Sequence, residues 1–327
     1  MKGSFDPIIN TWIKVFMISS EAKEITTIVV NWNLPDETAR CLDSLQSART
    51  PCRVLLVDNG SLDGSGFALK ERFPKIEVLS LPQNVGFGRA CNLAIQEALL
   101  AQDCRYIFLL NNDASVGKDT LAQLQQTAQA QPAAGILGPK IYQRHPADKI
   151  WYAGARRRQG VLAAKTFGRG QFDHGQFEHL QAVDYVFGAA MFIRRGVFER
   201  IGLFDERYFL YLEDLDFCLR AQQAGYKLLL VPQAHIWHTV SASTAGDLPR
   251  RRYHQIRSTV LFLRKHLART AIGPAILFWS AVFLRSLCLD LISDGFKALV
   301  SYWQALLSGY REHIRQTPAK KQRLSER

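Results

Sequence analysis

From residue 24 onward the chain alternates between short β-branched apolar runs and segments of helical period. Apolar runs at 25–32, 53–57, 76–79 and 106–110 predict buried strands. Apolar positions recurring at helical spacing over 37–48, 64–72, 87–101 and 118–130 predict helices between them. This βαβα order implies an α/β fold, a mostly parallel sheet with helices on both faces. The pattern then loosens. Residues 135–142 are apolar, whereas 154–180 are rich in Gly, Arg, Gln and His without a period and read as a long surface loop or irregular hairpins. A strand-like stretch over 183–193 is broken by Gly188. Helical spacing returns over 213–223, closed by Gly225, and 227–231 reads as a last strand stopped by Pro232. After about residue 245 the alternation ends. Residues 253–267 read as a basic amphipathic helix, and 271–284 are uncharged and apolar. A membrane span needs about 20 apolar residues, so the latter predicts an interfacial or re-entrant helix. A buried helix pair packed on the α/β domain is the competing arrangement. The expected organisation is an extension over 1–23, an α/β domain over 24–245 and a helical region over 246–327.

Composition adds a direction. The 327 residues carry a formal charge of +12, concentrated late at Arg250, Arg251, Arg252, Arg257, Arg264, Lys265 and Arg269, with a further basic tail. Basic residues beside an apolar stretch suit an anionic membrane surface or a phosphate-bearing substrate. No nucleic-acid-binding module is visible, so no nucleic-acid partner is expected. The six cysteines form no Cys-x-x-Cys pair and read as reduced core thiols, which fits a reducing compartment. The N-terminus lacks a cleavage pattern. It reads as an interfacial helix built on Ile8, Ile9, Trp12, Ile13 and Phe16.

Chemistry gathers where the strands end, and the carboxyl ends of an open α/β sheet line one crevice. Asp58, in Val57-Asp58-Asn59-Gly60-Ser61, could accept from a nucleobase N–H or a ribose hydroxyl, or only brace an Asx-turn. The Gly86-Phe87-Gly88 stretch lacks a dinucleotide fingerprint; with Arg89 it favours an anion at a helix N-terminus. Asp113, after Asn111-Asn112, suits Mg²⁺ or Mn²⁺, or caps a turn. Glu213-Asp214 follows a crowd of aromatics that would raise a carboxylate's pKa, against a helix N-terminus that favours the charged form. His235 and His238 follow the last strand, and one of them could complete a metal shell at Asp113.

In order, these stretches resemble the family-2 glycosyltransferases of GT-A fold, especially the rhamnosyltransferase-like members. The resemblance is carried by Ile28-Val29-Val30-Asn31-Trp32-Asn33, 57–61, 84–88, 110–113, 187–191, 211–216 and Trp237-His238, and spans roughly 25 to 265. It implies an inverting transfer of a sugar, such as rhamnose, from a nucleotide diphosphate to a hydroxyl of a lipid-linked or polysaccharide acceptor. The setting would be the cytoplasmic face of a membrane. By the same resemblance Asp214 is the catalytic base and Glu213 positions acceptor or base. Asn31, Asn33, Asp58, Asn59, Asn84, Gly86, Arg89 and Asn112 hold the donor, with Gly188 and Ala189 under its sugar. Asp113 and His238 match the metal site. The family's earlier metal acid is replaced here by Asn111, so the requirement for Mg²⁺ or Mn²⁺ stays open. A nucleotidyltransferase and a sugar-nucleotide-binding protein with impaired catalysis are the rival readings.

Overall fold

A computed structural model of the chain describes residues 23–158, 162–239, 248–267, 272–294 and 296–315. The expected N-terminal extension lies outside the described residues, but for its last position. The described residues fall into two compact units, one within 1–156, 164–206 and 214–243, the other within 157–163, 207–213 and 244–327.

The first unit is built on one sheet. Strands β1 (Ile25–Asn31), β2 (Arg53–Asp58), β3 (Glu77–Ser80) and β4 (Tyr106–Asn111) run parallel in the order β4-β1-β2-β3. All seven residues of β1 are buried, as expected of a strand covered on both faces. Helices α1 (Pro35–Gln46), α2 (Ser65–Arg72) and α3 (Phe87–Leu100) connect them. Pro35 opens α1, where its missing N–H costs nothing, and Asp36 and Glu37 sit in the first turn, where acids favour the helix dipole.

The other half of the sheet is mixed, unlike the mostly parallel arrangement the alternation predicts. After β4 come β5 (Ala114–Val116), α4 (Thr120–Ala130), β6 (Ala134–Gln143), β7 (Ile150–Tyr152) and a separate two-stranded hairpin, β8 (Ala155–Arg158) with β9 (Ala163–Thr166). Then follow β10 (Gln181–Val183), β11 (Ala190–Arg194), α5 (Arg195–Ile201), α6 (Glu213–Gln223) and β12 (Lys227–His238). Strand β11 inserts antiparallel between β4 and β6, stacking Phe192 on Tyr106 at 4.9 Å. Strand β12 does not stop at Pro232. The register with β6 shifts between Val231 and His235, so the proline is carried out of the ladder and pairing resumes through His238. His235 and His238 therefore belong to the strand rather than following it. The stretch expected over 154–180 to be a long surface loop or irregular hairpins contains the β8–β9 hairpin, and its later part is pinned down. Buried Lys140 on β6 pairs with Asp173 at 2.9 Å and Glu178 at 2.5 Å, and Tyr142 donates to Asp173 at 2.6 Å.

In the second unit α7 (Leu248–His266) and α8 (Ile272–Asp294) both pack on α9 (Phe296–Arg315), around Ile256, Tyr302 and Ala305. Residues 272–284 of the predicted apolar run form the first half of a longer helix, and no separate α9 is predicted from the sequence. No helix among the described residues is long and apolar enough to cross a membrane. Segment 207–213 is fastened to α7: Arg257 Nη1 donates to Arg207 O at 2.7 Å, Ser258 Oγ to Leu210 O at 2.8 Å, and Phe209 stacks on His254.

Candidate active site

The strand register sets these positions level. Ser80 pairs with Asp58, Asp58 with Asn31, Val30 with Asn111, and Leu110 with Ala190. Residues far apart in sequence thus form one row along the carboxyl edge of the sheet.

At one end of the row stands Asp58, 9% exposed. Its Oδ1 accepts from Ser61 Oγ and, at 3.3 Å, from Asn31 Nδ2. A Cβ on Gly66 would meet Asp58 Oδ2 at 2.2 Å, so only glycine lets the first turn of α2 close over this carboxylate. Asn31 is wholly buried and is a joint of the scaffold: Nδ2 also donates to Ser65 at 2.8 Å, and Oδ1 accepts from Thr38 at 2.7 Å. Thr38 in turn accepts from Asn112 Nδ2 at 2.9 Å. A buried hydrogen-bonded chain Asp58–Asn31–Thr38–Asn112 therefore runs from the end of β2 to the turn after β4. Asn59 fixes the loop before α3, donating to Asn84 at 3.2 Å and accepting from Val85 N–H at 3.0 Å, while Asn84 accepts from Gly86 N–H. Asn33 adopts φ 51° and accepts from Leu62 N–H. Arg89 is half-exposed, 3.6 Å from Glu206.

At the other end Asp113 leads into β5, which pairs with β12 so that Ala114 faces His238. Both residues are buried, and Asp113 Oδ1 lies 2.9 Å from His238 Nε2. Close as they are, neither atom makes a hydrogen bond of proper geometry, and His238 Nδ1 has none either, among the described residues. A buried oxygen and imidazole nitrogen, adjacent yet unsatisfied, are a donor pair that fits a divalent cation of the Mg²⁺ or Mn²⁺ type. No cluster of three or more His, Cys, Asp or Glu side chains surrounds them among the described residues, so such an ion would draw its other ligands from water or substrate phosphate.

Asp214 lies in the first turn of α6 and is held by the segment that leads into β11. Its Oδ2 accepts from Tyr185 O–H at 2.5 Å and Gly188 N–H at 2.8 Å, and its Oδ1 from Leu215 N–H at 2.7 Å. Ala189, next to Gly188, accepts from Asn111 N–H at 2.9 Å. Two short links thus join Asp214 to the Asn111–Asp113 turn. A Cβ on Gly188 would stand 2.8 Å from Asp214 Oδ2, so this approach too requires glycine. Burial raises the Asp214 pKa, against the hydrogen bonds from Tyr185, Gly188 and Leu215 that lower it. Trp151 stands between His238 and the segment that holds Asp214, edge-on to Phe187 at 4.3 Å and to His238 at 5.2 Å. Glu213 is buried beside Asp214.

Thr38, Tyr185 and Trp151 escape a reading of strand ends. Thr38 alone left a trace, as a polar residue on the apolar face of α1 with Cys41, Leu42 and Leu45. His235 faces Tyr142 and Trp237 instead of Asp113, and burial with the charge of Lys140 lowers its pKa.

Known proteins resemble the chain in sequence and in fold. The sequence model of glycosyl transferase family 2 matches residues 26–202. An N-acetylglucosaminyl-diphospho-decaprenol L-rhamnosyltransferase of Mycobacterium tuberculosis is 31% identical over 259 residues, 73% of this chain and 83% of that one. Among solved structures, S. aureus TarS 1-349 in complex with UDP-GlcNAc aligns with a TM-score of 0.56 at 16% identity, covering 88% of this chain and 81% of that one. The mannosyltransferase PcManGT from Pyrobaculum calidifontis, in complex with GDP-Man and Mn²⁺, aligns at 0.53 and 16% identity, covering 92% and 77%. At such identities the solved structures speak for the fold.

Proposed function

The chain belongs to glycosyl transferase family 2, and on that premise we propose that it moves rhamnose from a nucleoside diphosphate to a hydroxyl of a lipid-linked saccharide, with inversion, at the cytoplasmic face of a membrane. The mycobacterial relative is named for that donor sugar and for a diphospho-decaprenol acceptor. The observation that carries the reading is an unsatisfied Asp113–His238 couple together with a buried carboxylate, Asp214, tied through Gly188 and Ala189 to the turn that bears Asp113.

In this reading the acceptor hydroxyl gives its proton to Asp214 as its oxygen bonds to the anomeric carbon. The bond from that carbon to the diphosphate breaks on the opposite face, and the electron pair leaves with the phosphate oxygen. A carboxylate with a raised pKa is a stronger base than a solvated one, and Tyr185 and Gly188 fix its orientation. Asp113 and His238 would hold the cation, whose charge offsets that of the departing diphosphate. The Asp58–Asn31–Thr38–Asn112 chain keeps the donor pocket's polar groups in place before substrate arrives. Attachment to the membrane would come from the apolar residues that α8 and α9 expose.

The test is product analysis with dTDP-rhamnose and an N-acetylglucosaminyl-diphospho-polyprenol, with and without Mn²⁺. Release of dTDP together with a rhamnosylated lipid is expected. Pyrophosphate release, or no turnover with any nucleotide sugar, refutes the proposal.

A further inference from the structure

The second unit contains a cavity of about 270 Å³ that the reaction described above does not use. Its apolar wall is formed by Leu212, Ile256, Trp279, Val282 and Phe283. Its polar wall is already neutralised: Arg252 grips Asp290 through Nε at 2.7 Å and Nη2 at 3.2 Å, and Tyr302 O–H donates to the same carboxylate at 2.7 Å. A wall whose charges are mutually satisfied offers little to an ion and presents hydrocarbon-compatible surface to a ligand.

We propose that this cavity receives the hydrocarbon chain of the lipid-linked acceptor, at the carbons nearest its diphosphate. The inference rests on the acceptor class proposed above. Three observations carry it. First, the cavity wall is continuous along the chain with the acid pair: Tyr211 and Leu212 line it, and Glu213 and Asp214 are the next two residues. Tyr211 and Leu212 both hold left-handed backbone, φ 71° and 67°, a conformation that bulky residues keep only where their surroundings impose it. That costly turn shapes the two wall residues that come just before the acid pair in the sequence. Second, the apolar lining runs out onto the surface. Val282 lines the cavity and is itself exposed, on a helix that also bares Leu277 (75%) and Leu284 (62%), while α9 bares Trp303 (65%). A helix that leaves large apolar side chains exposed suits the boundary of a bilayer, where an acceptor lipid resides. Third, α7, which supplies Arg252, Gln255, Ile256 and Thr259 to the cavity, also carries Arg250, Arg251, Arg257, Arg264 and Lys265. Those cations suit the anionic diphosphate that joins lipid to sugar. The volume admits a short stretch of isoprenoid chain, leaving the remainder in the membrane.

The experiment is photolabelling of the full-length protein with a benzophenone-tagged farnesyl diphosphate, mapped by peptide mass spectrometry. Label is expected in 252–259 and 279–286, displaced by unlabelled farnesyl diphosphate and not by phosphatidylglycerol vesicles or inorganic diphosphate. Val282→Trp, which fills the cavity, should reduce labelling roughly ten-fold, the loss expected when one Leu-sized hydrocarbon group is shut out of an apolar site. Ser286→Phe, filling it from another position, should do the same. Label confined to other segments, displacement by phosphatidylglycerol, or labelling undiminished in both folded variants overturns the proposal. If both variants fail to fold, the label map and competition on the wild-type protein decide it. Transfer is scored separately by nucleoside diphosphate release: specific labelling without transfer overturns the proposed reaction and leaves the lipid site standing.

Discussion

Asp214→Asn tests the assignment of the base through both stability and rate. The carboxylate receives three donors, Tyr185 O–H and Gly188 N–H on Oδ2 and Leu215 N–H on Oδ1. An amide keeps one acceptor oxygen and places an NH₂ group at the other position. With its oxygen toward Tyr185 and Gly188, the NH₂ faces Leu215 N–H; reversed, it faces both of the others. Either way at least one buried donor loses its partner, a cost of about 1–3 kcal/mol. The asparagine also cannot take the acceptor's proton, and loss of a positioned base costs about 10²–10⁴ in rate. The stability change has a pH signature. Burial raises the Asp214 pKa above its ordinary 3.8, so between that value and the raised one the folded state binds more protons than the unfolded state. Wild-type stability should therefore fall as pH rises through that window and level off above it, and Asp214→Asn should remove this component of the slope. The same ionisation should set the acid limb of kcat/KM above pH 3.8. The assays are urea unfolding across pH, dTDP-rhamnose turnover and a donor-binding titration. Donor affinity should persist in the variant. Turnover within about three-fold of wild type, against the 10²–10⁴ expected for a lost base, refutes the role of Asp214.

Thr38→Val keeps the shape and strips Asn31 Oδ1 and Asn112 Nδ2 of a partner, so it should cost roughly 1–3 kcal/mol per orphaned group. The donor KM should rise several-fold with kcat little changed, as kinetics with saturating acceptor would show. His238→Ala should weaken Mn²⁺ binding measured by calorimetry; unchanged affinity removes His238 from the ion's shell. Burial alone would raise the Asp173 carboxyl, but hydrogen bonds from Lys140, Tyr142 and Gly175 outweigh it and bring it to about 2. The stability it contributes is present above pH 3.8 and is lost as pH falls toward 2, and Asp173→Asn should flatten that part of an acid-unfolding curve. Leu277→Asp with Trp303→Asp should reduce sedimentation with phosphatidylglycerol vesicles, since both side chains are largely uncovered.

Hydrophobic periodicity was enough to locate β1 to β4 and the helices between them, because each buried element writes its own burial pattern locally. The same locality exposed the acids at strand ends: Asp58, Asp113 and Asp214 each follow or adjoin an apolar run. What periodicity could not supply was pairing. Nothing in 190–194 tells that this strand enters antiparallel beside β4, and no local rule reveals that β12 passes Pro232, because a bulge depends on the partner strand. Register, in turn, decided the chemistry. It set Asn31 against Asp58 and brought His238 rather than His235 to Asp113, since neighbouring strand residues face opposite ways and three positions separate the two histidines. Tyr185 and Gly188 became the support of Asp214 only through a fold that joins segments 26 and 29 residues apart. Residue types were fixed by the chain, whereas the contacts that would let a carboxylate serve as a base or a ligand are long-range and arise only from packing.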